Sequence, residues 1–157
     1  MTRVDELLSD YGAYHTTRSN IACHFIGIPL IMYGILALLL LLPIGQTQLG
    51  TVTATEIVIV LAVIYYFTLD FRFAISMLVA AGLFDLLGRI SWDARIGLAA
   101  FVIGWVFQSI GHAVYEKRSP AFMKNLVHLL VGPIFLINEA FHFRSVTDGS
   151  LTKPQSS

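Results

Sequence analysis

Residues 21–42 read IACHFIGIPLIMYGILALLLLL, an apolar run that contains no Asp, Glu, Lys or Arg. About 20 such residues in an α-helix span the roughly 30 Å hydrocarbon core of a bilayer. The rest of the chain has the same character, since 56% of its residues are hydrophobic, 13% are charged and the mean hydropathy is +0.74. These values lie outside the range of ordinary soluble domains. The sequence therefore predicts an integral membrane protein whose first spanning helix starts near Ile21.

Four more apolar runs follow, at residues 57–69, 73–87, 96–110 and 126–143. Pro43, Gly45 and Gly50 mark a polar loop before the second run. The last run contains Pro133 and Glu139, so it either crosses the membrane or forms a kinked or re-entrant helix packed against the others. We predict an all-α fold, a multi-pass transmembrane bundle of about four to five membrane helices in which the last one is kinked or re-entrant.

One domain accounts for this pattern. It covers residues 1–145 and includes an interfacial N-terminal segment at residues 1–20, whereas residues 146–157 form a polar tail that we expect to be disordered. The first twenty residues lack the apolar core of a signal peptide, so the first span would act as its own insertion signal. The expected location is a bacterial inner membrane or an endoplasmic reticulum.

Charged residues predict the orientation of the bundle and exclude one class of partner. Arg3 and Arg18 precede the first span and Lys117 and Arg118 follow the fourth, whereas the loop after the first span has no basic residue. The positive-inside rule then places the N-terminus in the cytoplasm. The 10 basic and 10 acidic residues leave no basic stripe for neutralising phosphates, so nucleic acid is not an expected partner. The single Cys23 excludes an intramolecular disulfide.

Three histidines lie where apolar segments begin or end: His15, His24 and His112. Ionisable side chains are costly inside a bilayer and usually mark a functional site there. With four crossings, the chain enters the membrane after His15 and returns to the same face at His112, and His128 follows nearby. Imidazole and carboxylate ligands without paired thiolates suit iron, manganese or zinc, and two or three histidines with one carboxylate are typical of non-haem Fe(II) sites. The sequence predicts a metal site on the cytoplasmic side.

The spacing around His112 suggests the remaining members of this site. Gln108, His112 and Glu116 are four residues apart and therefore share one helix face. We expect Glu116 to be a ligand or to accept a hydrogen bond beside the metal, the alternative being an ion pair with Lys117 or Arg118. Asn20 and Gln108 are expected to orient the imidazoles by hydrogen bonding.

His15 and His24 share a metal only if the chain turns between them. Nine residues along one straight helix would place them about 180° apart around its axis. Ser19 or Asn20 as a helix N-cap would supply the turn and fold the preceding segment back onto the bundle. Cys23 is expected to pack, because adjacent residues point about 100° apart on a helix.

Two other histidines are less distinctive. His128 fits a metal ligand and an interfacial residue equally well. His142 stands next to Arg144 near the end of the last run, where cations suit the C-terminus of a helix, and it is expected to lie apart from the metal.

These residues resemble a family of small multi-pass membrane proteins typified by a fungal endoplasmic-reticulum 2-hydroxy fatty acid dioxygenase. The resemblance implies an Fe(II)-dependent α-oxidation in which O2 converts a long-chain 2-hydroxy fatty acid to the acid one carbon shorter. It also implies that His15, His24 and His112 hold the Fe(2+), whereas family members often have another residue at the position of His128. The segments that carry it are Tyr14-His15, Asn20, His24-Phe-Ile-Gly-Ile-Pro29, Trp105, Gln108-Ser-Ile-Gly-His112, Glu116-Lys-Arg-Ser-Pro120-Ala121, Asn125-Leu126, Gly132-Pro133 and Glu139.

A fatty acid suits this chain physically. Its alkyl tail would lie among apolar helices while its carboxylate and 2-hydroxyl reach the metal at the membrane boundary. Arg18, Lys117 or Arg118 is the expected donor to the carboxylate. The competing hypotheses are a non-catalytic membrane scaffold or lipid-handling protein whose histidines line a polar cleft, and a transporter. The transporter is disfavoured because the polar groups gather at one face of the membrane, whereas transport sites lie near its midplane.

Overall fold

The computed structural model describes residues 2–48, 50–91, 93–117 and 127–144, so the predicted tail lies outside the described residues. Helices dominate the described chain, as predicted, and a short β-ribbon and one π-helical segment join them. The elements are α1 (Arg3–Gly12), α2 (Arg18–Leu39), β1 (Pro43–Thr47), β2 (Gly50–Thr53), α3 (Ala54–Phe67), α4 (Phe71–Ser91), α5 (Ala94–Ile110), the π segment (Gly111–Glu116) and α6 (His128–Phe141).

Within the described residues, three helices are long and apolar enough to cross a membrane: α2, α4, and α5 continued by the π segment. Their most apolar stretches have mean hydropathies of 2.1, 1.8 and 1.5, which identifies a membrane protein. The helices α3 and α6 have 14 residues each, which corresponds to about 21 Å and is short of the roughly 30 Å core. Crossing by these two helices, and with it the predicted total of four to five, stays a prediction.

The expected loop after α2 is an antiparallel β-ribbon, so the fold is not entirely α-helical. Its two strands pair from Pro43 with Thr53 to Thr47 with Gly50. The Thr47 hydroxyl donates to the Gly50 carbonyl at 2.9 Å, and Gly50 adopts a φ of 127° that side chains rarely tolerate. Gly50, which marked a polar loop in the sequence, therefore begins the second strand of a β-ribbon.

The helices α2 and α5 are in direct backbone contact through glycines. A Cβ atom on Gly27 would lie 2.9 Å from the carbonyl oxygen of Gly104, and a Cβ atom on Gly34 would lie 2.7 Å from that of Gly97. These two pairs run in opposite directions along the two helices, so α2 and α5 are antiparallel. The start of α2 consequently lies beside the end of α5, and we call this end of the bundle the histidine end.

The helix α3 returns the chain to the histidine end. At the start of α3, the Thr55 hydroxyl donates to the Leu36 carbonyl near the end of α2 at 2.9 Å. The end of α4 also lies beside the end of α2, at the opposite end of the bundle from the histidines, since Gly88 packs against Ala37 and Leu40. Because α4 ends beside the end of α2, the turn between α3 and α4 must lie at the histidine end.

The short helices α1 and α6 pack together at the histidine end. Apolar residues of α1 recur every three or four positions, and Val4, Leu8 and Tyr11 are buried against the core. In α6, all six residues from 131 to 136 are buried, which agrees with a helix packed against the others. Its kink at Pro133 stays a prediction.

Arg144 connects three parts of the histidine end. Its guanidinium pairs with Asp70 in the turn between α3 and α4, and it lies 3.7 Å from the carboxylate of Asp5 in α1. Burial would raise the pKa of Asp70, but hydrogen bonds from the Arg144 side chain and the Arg72 backbone hold this pKa below its usual value.

We expect Asp70→Asn to lower the thermal midpoint in detergent at neutral pH, because the mutation removes the negative partner of Arg144. The folded-state pKa of Asp70 is lowered, so its contribution is complete above the unfolded pKa of about 3.9 and is lost as the pH falls through the folded-state value. The difference between wild type and variant should therefore shrink below about pH 4. A difference that grew in acid would contradict this role.

Candidate metal centre

Three buried imidazoles from separate elements meet at the histidine end. His15 follows α1, His24 lies in the second turn of α2, and His112 lies in the π segment. One ring nitrogen of each lies within 4.8 Å of the others, and the residues are 4%, 0% and 4% exposed. The topology argument from the sequence expected this convergence, and the structure brings the three rings together.

Backbone carbonyls fix the tautomers of two of these rings. Nδ1 of His15 lies 2.7 Å from the carbonyl oxygen of Tyr11, and Nδ1 of His24 lies 2.9 Å from that of Asn20. A carbonyl oxygen only accepts, so Nδ1 donates in both rings. Each neutral ring then carries its lone pair on Nε2, which is the nitrogen left free for a metal.

The two free nitrogens face each other. Nε2 of His15 lies 2.9 Å from Nε2 of His24, so two lone pairs meet in a buried site. A shared proton would need one ring to be charged, and burial lowers the pKa of His15 to about 4. Two nitrogens that lie about 2.0–2.1 Å from one metal at an angle near 90° are about 2.9 Å apart. The pair therefore fits a metal ion better than a hydrogen bond.

His112 completes a three-histidine donor set. Its ring centroid is 5.0 Å from that of His15 and 4.9 Å from that of His24. Its Nδ1 is buried and has no hydrogen-bond partner within the described chain. A buried nitrogen without a partner is costly, and a metal ion would satisfy it. No carboxylate or thiol of the described residues joins the three rings.

Glu116 clamps the turn between α1 and α2. Its carboxylate accepts hydrogen bonds from the backbone and side chain of both Thr16 and Thr17, at 2.8–3.1 Å, and from the Asn20 amide at 3.3 Å. The anion also stands at the N-terminus of α2, where the helix dipole favours it. Glu116 thus holds the segment that carries His15 and does not pair with Lys117.

The turn between His15 and His24 forms as expected, but its cap differs. The N-cap of α2 is Thr17, whose hydroxyl accepts from the Asn20 backbone at 3.3 Å, and not Ser19 or Asn20. Thr17 is preferred because its extended backbone also brings its N–H group to Glu116. This contact joins residues almost a hundred positions apart, which helix-start signals do not reveal.

Asn20 and Gln108 lie beside the imidazoles in ways that differ from the expectation. The Asn20 backbone orients His24, whereas its side-chain amide donates to Glu116. The Gln108 side chain is buried beside the site, and its Nε2 has no hydrogen-bond partner in the described chain. The stacked ring of Tyr11, with its centroid 4.1 Å from that of His15, is an additional neighbour that the i, i+4 spacing indicates.

The other predicted residues lie outside the group of three. His128 is buried, but its Nε2 lies 2.9 Å from the Asp10 carboxylate, and this pairing keeps the ring out of the group. His142 is exposed at the end of α6, apart from the site as expected. Arg18 and Lys117 are exposed. Arg118 lies outside the described residues.

An apolar cavity of about 300 Å³ adjoins the histidines. One face of α2 forms one wall, with Ile28, Ile31, Met32 and Ile35 recurring at helical spacing. The cavity touches His15 and His112 and extends along α2 away from them. Such an apolar cavity with a few convergent polar groups is typical of a site for a small apolar ligand. Its remaining lining residues are Tyr11, Phe101, Trp105, Gln108, His128, Leu129, Gly132 and Pro133.

We expect Glu116→Gln to weaken metal affinity by about 10–100-fold, because a side-chain amide next to the Thr16 and Thr17 donors loosens the segment that carries His15. Titration of the metal-free protein with a divalent metal measures this change. Glu139→Gln, on the exposed side of α6, is the matched control and should bind metal like wild type. Equal affinity for Glu116→Gln and the control would argue against the clamp.

Two comparisons with known proteins indicate the same family. A family model described as 2-hydroxy-palmitic acid dioxygenase Mpo1-like matches residues 1–144. The 2-hydroxy-palmitic acid dioxygenase MPO1 of Saccharomyces cerevisiae is 34% identical over 139 residues, which cover 84% of this chain and 76% of the yeast protein. No solved structure is significantly similar to the chain.

Proposed function

The chain belongs to the Mpo1-like 2-hydroxy-palmitic acid dioxygenase family, and we propose that it is an Fe(II)-dependent dioxygenase that converts long-chain 2-hydroxy fatty acids to the acid one carbon shorter. The observation that carries the proposal is the pair of facing Nε2 atoms of His15 and His24 at the end of an apolar cavity. Three histidines with no cysteine in the group form a donor set that iron, copper and zinc accept, and a reaction with O2 favours a redox-active metal over zinc.

The proposed reaction is balanced in atoms and electrons. One 2-hydroxy acid and one O2 give the shorter acid, one CO2 and one water. The bond between C1 and C2 breaks, C2 is oxidised to a carboxyl group, and O2 takes up the four electrons released. Iron bound by the histidines would supply the binding and activation of O2 next to the substrate hydroxyl and carboxylate.

The residues of this chain bind and orient the substrate. The alkyl tail lies along the α2 wall of the cavity, where each buried methylene contributes about 0.8 kcal/mol. With the tail in this position, the carboxyl end of the acid lies beside His15 and His112, at the polar end of the cavity. Burial of all three imidazoles excludes water from the reacting carbon. The carbonyl oxygens of Tyr11 and Asn20 accept hydrogen bonds from Nδ1 of His15 and His24, which leaves Nε2 of each ring for the metal.

The orientation in the membrane is part of the proposal. The N-terminus and the histidine end face the cytoplasm, as the basic residues that flank the spans favour. Arg89 and Arg95, on the opposite side, are a local departure from this rule, and the shortness of the loop between them limits their weight. An enzyme at the cytoplasmic face of its membrane takes its substrate from that leaflet.

The decisive experiment uses the purified full chain loaded with Fe(II) under anaerobic conditions. Addition of 2-hydroxypalmitate and air should consume one O2 per substrate and yield pentadecanoate, detected by mass spectrometry. Palmitate should give no product. If the protein binds both acids without consuming O2, the lipid-handling alternative is correct and the dioxygenase proposal is wrong.

A further inference from the structure

Besides Nδ1 of His112, which a metal ion would satisfy, two buried polar atoms of the cavity wall have no hydrogen-bond partner within the described residues. They are Nε2 of Gln108 and Nδ1 of His128, in side chains that are 7% and 3% exposed. Both residues line the cavity that reaches His15 and His112. Buried polar groups are nearly always hydrogen-bonded, so two of them in one cavity indicate a ligand that satisfies them.

The Asp10 carboxylate determines which nitrogen of His128 carries the proton. Nε2 of His128 lies 2.9 Å from a carboxylate oxygen of Asp10, which is an acceptor. Nε2 therefore donates, and Nδ1 of the neutral ring is left as an acceptor. Asp10 is 59% exposed in its side chain and stands outside the cavity, so it acts on a ligand only through the His128 ring.

Gln108 offers the opposite polarity. Its side-chain Nε2 is a donor and nothing else. This nitrogen lies against Gly27, where a Cβ atom would be 3.0 Å from it, so a larger residue at position 27 would displace the Gln108 side chain. The cavity wall thus presents one acceptor and one donor near the imidazoles. A 2-hydroxy acid presents the complementary pair, a hydroxyl that donates and a carboxylate that accepts.

We propose, building on the function proposed above, that His128 accepts a hydrogen bond from the substrate's 2-hydroxyl and that Gln108 donates one to its carboxylate. His128 then selects hydroxylated over plain fatty acids, and Asp10 positions His128. No Lys or Arg of the described chain lines the cavity. In this proposal Gln108, and not the exposed Arg18 or Lys117, is the donor to the carboxylate.

The two residues should act on different parts of the ligand. A plain fatty acid leaves Nδ1 of His128 unpaired in a buried site, and this penalty is the basis of the selectivity. His128→Phe should weaken binding of 2-hydroxypalmitate by about tenfold or more and should not weaken palmitate binding, because the variant has no unpaired nitrogen for a plain acid to bury. Gln108→Glu should weaken both acids, because it places a second carboxylate beside theirs.

The test measures equilibrium binding of both acids to the iron-loaded full chain in detergent micelles, together with kcat and KM. Asp10→Ala should reduce the preference for the hydroxy acid, and Asp10→Asn, which keeps an acceptor for Nε2, should restore it. The change should appear in KM for 2-hydroxypalmitate, with kcat less affected. Met32→Leu, which alters the apolar wall for both acids alike, is the control and should keep the ratio of their two affinities.

The outcomes separate this inference from the proposed function. If wild type does not turn over 2-hydroxypalmitate, the dioxygenase proposal fails, and the binding preference is still measurable. If wild type turns over its substrate but His128→Phe and Asp10→Ala both keep the full preference, the inference is wrong. Equal weakening of both acids by His128→Phe would also overturn it. Should His128→Phe fail to fold, the surface substitution Asp10→Ala decides alone.

Discussion

Replacing His24 by alanine is expected to reduce both iron content and O2 consumption by more than about 100-fold, which exceeds the usual effect of losing a residue next to a metal ligand. His24 is fully buried, and its Nε2 is one of the two nitrogens that face each other across 2.9 Å. Without it, His15 loses its counterpart and the donor set falls to two. Elemental analysis and an oxygen electrode give the two measurements.

His142→Ala is the matched control for this prediction. His142 is exposed at the end of α6, so the variant should keep the iron content and the rate of wild type. Loss of a buried ring also removes packing, so the thermal midpoint of the metal-free His24→Ala protein must be compared with that of metal-free wild type. A folded His24→Ala protein that retained stoichiometric iron would show that the three-histidine centre is not the metal site.

Gly34→Leu should prevent the bundle from forming. A Cβ atom at Gly34 would lie 2.7 Å from the carbonyl oxygen of Gly97 and equally close to backbone and side-chain atoms of Phe101. Backbone atoms cannot move aside without separating α2 from α5. Overpacking lowers the free energy of unfolding by typically about 1–3 kcal/mol even where side chains can rearrange, so a clash with backbone should cost more. Separation of these helices also parts His24 from His112. Size-exclusion chromatography and thermal midpoints in detergent measure the folded fraction.

Gly82 provides the control on a neighbouring helix. It lies in α4, and a Cβ atom there would meet nothing within 4 Å. Gly82→Leu should leave the folded fraction unchanged, and Gly82→Ala should raise stability by about 0.5–1 kcal/mol, since alanine favours a helix over glycine. If Gly34→Leu folded as well as Gly82→Leu, the close approach of α2 and α5 would be without energetic importance.

Hydrophobic run length predicts the long helices well, because spanning a bilayer imposes a length that is visible in sequence. The run at residues 21–42 corresponds to α2, although the polar residues from Arg18 to Asn20 extend the helix at its start. The convergence of His24 with His112 follows from the same reasoning, because it depends only on which ends of the runs lie together. Their role as metal ligands stays a prediction.

Contacts between distant parts of the chain explain what the sequence does not reveal. Glu116 lies four residues after His112, which predicted a metal ligand on the same helix face. Its carboxylate instead accepts hydrogen bonds from Thr16 and Thr17, which are about a hundred residues earlier in the chain. Asp10 and His128 likewise meet only after α1 has packed on α6. The π segment adds one residue to the local turn, and no periodicity in the sequence signals it.

His15 stands outside the spanning helices, on the short segment that Glu116 ties to the end of α5. During synthesis, a chain that has emerged only through α4 carries His15 and His24 but neither His112 nor the carboxylate that holds their segment. The donor set is complete only after α5 has packed against α2. If the function proposed above is correct, metal capture is a late event in the biogenesis of this protein, because it requires both ends of the chain to have reached their final places.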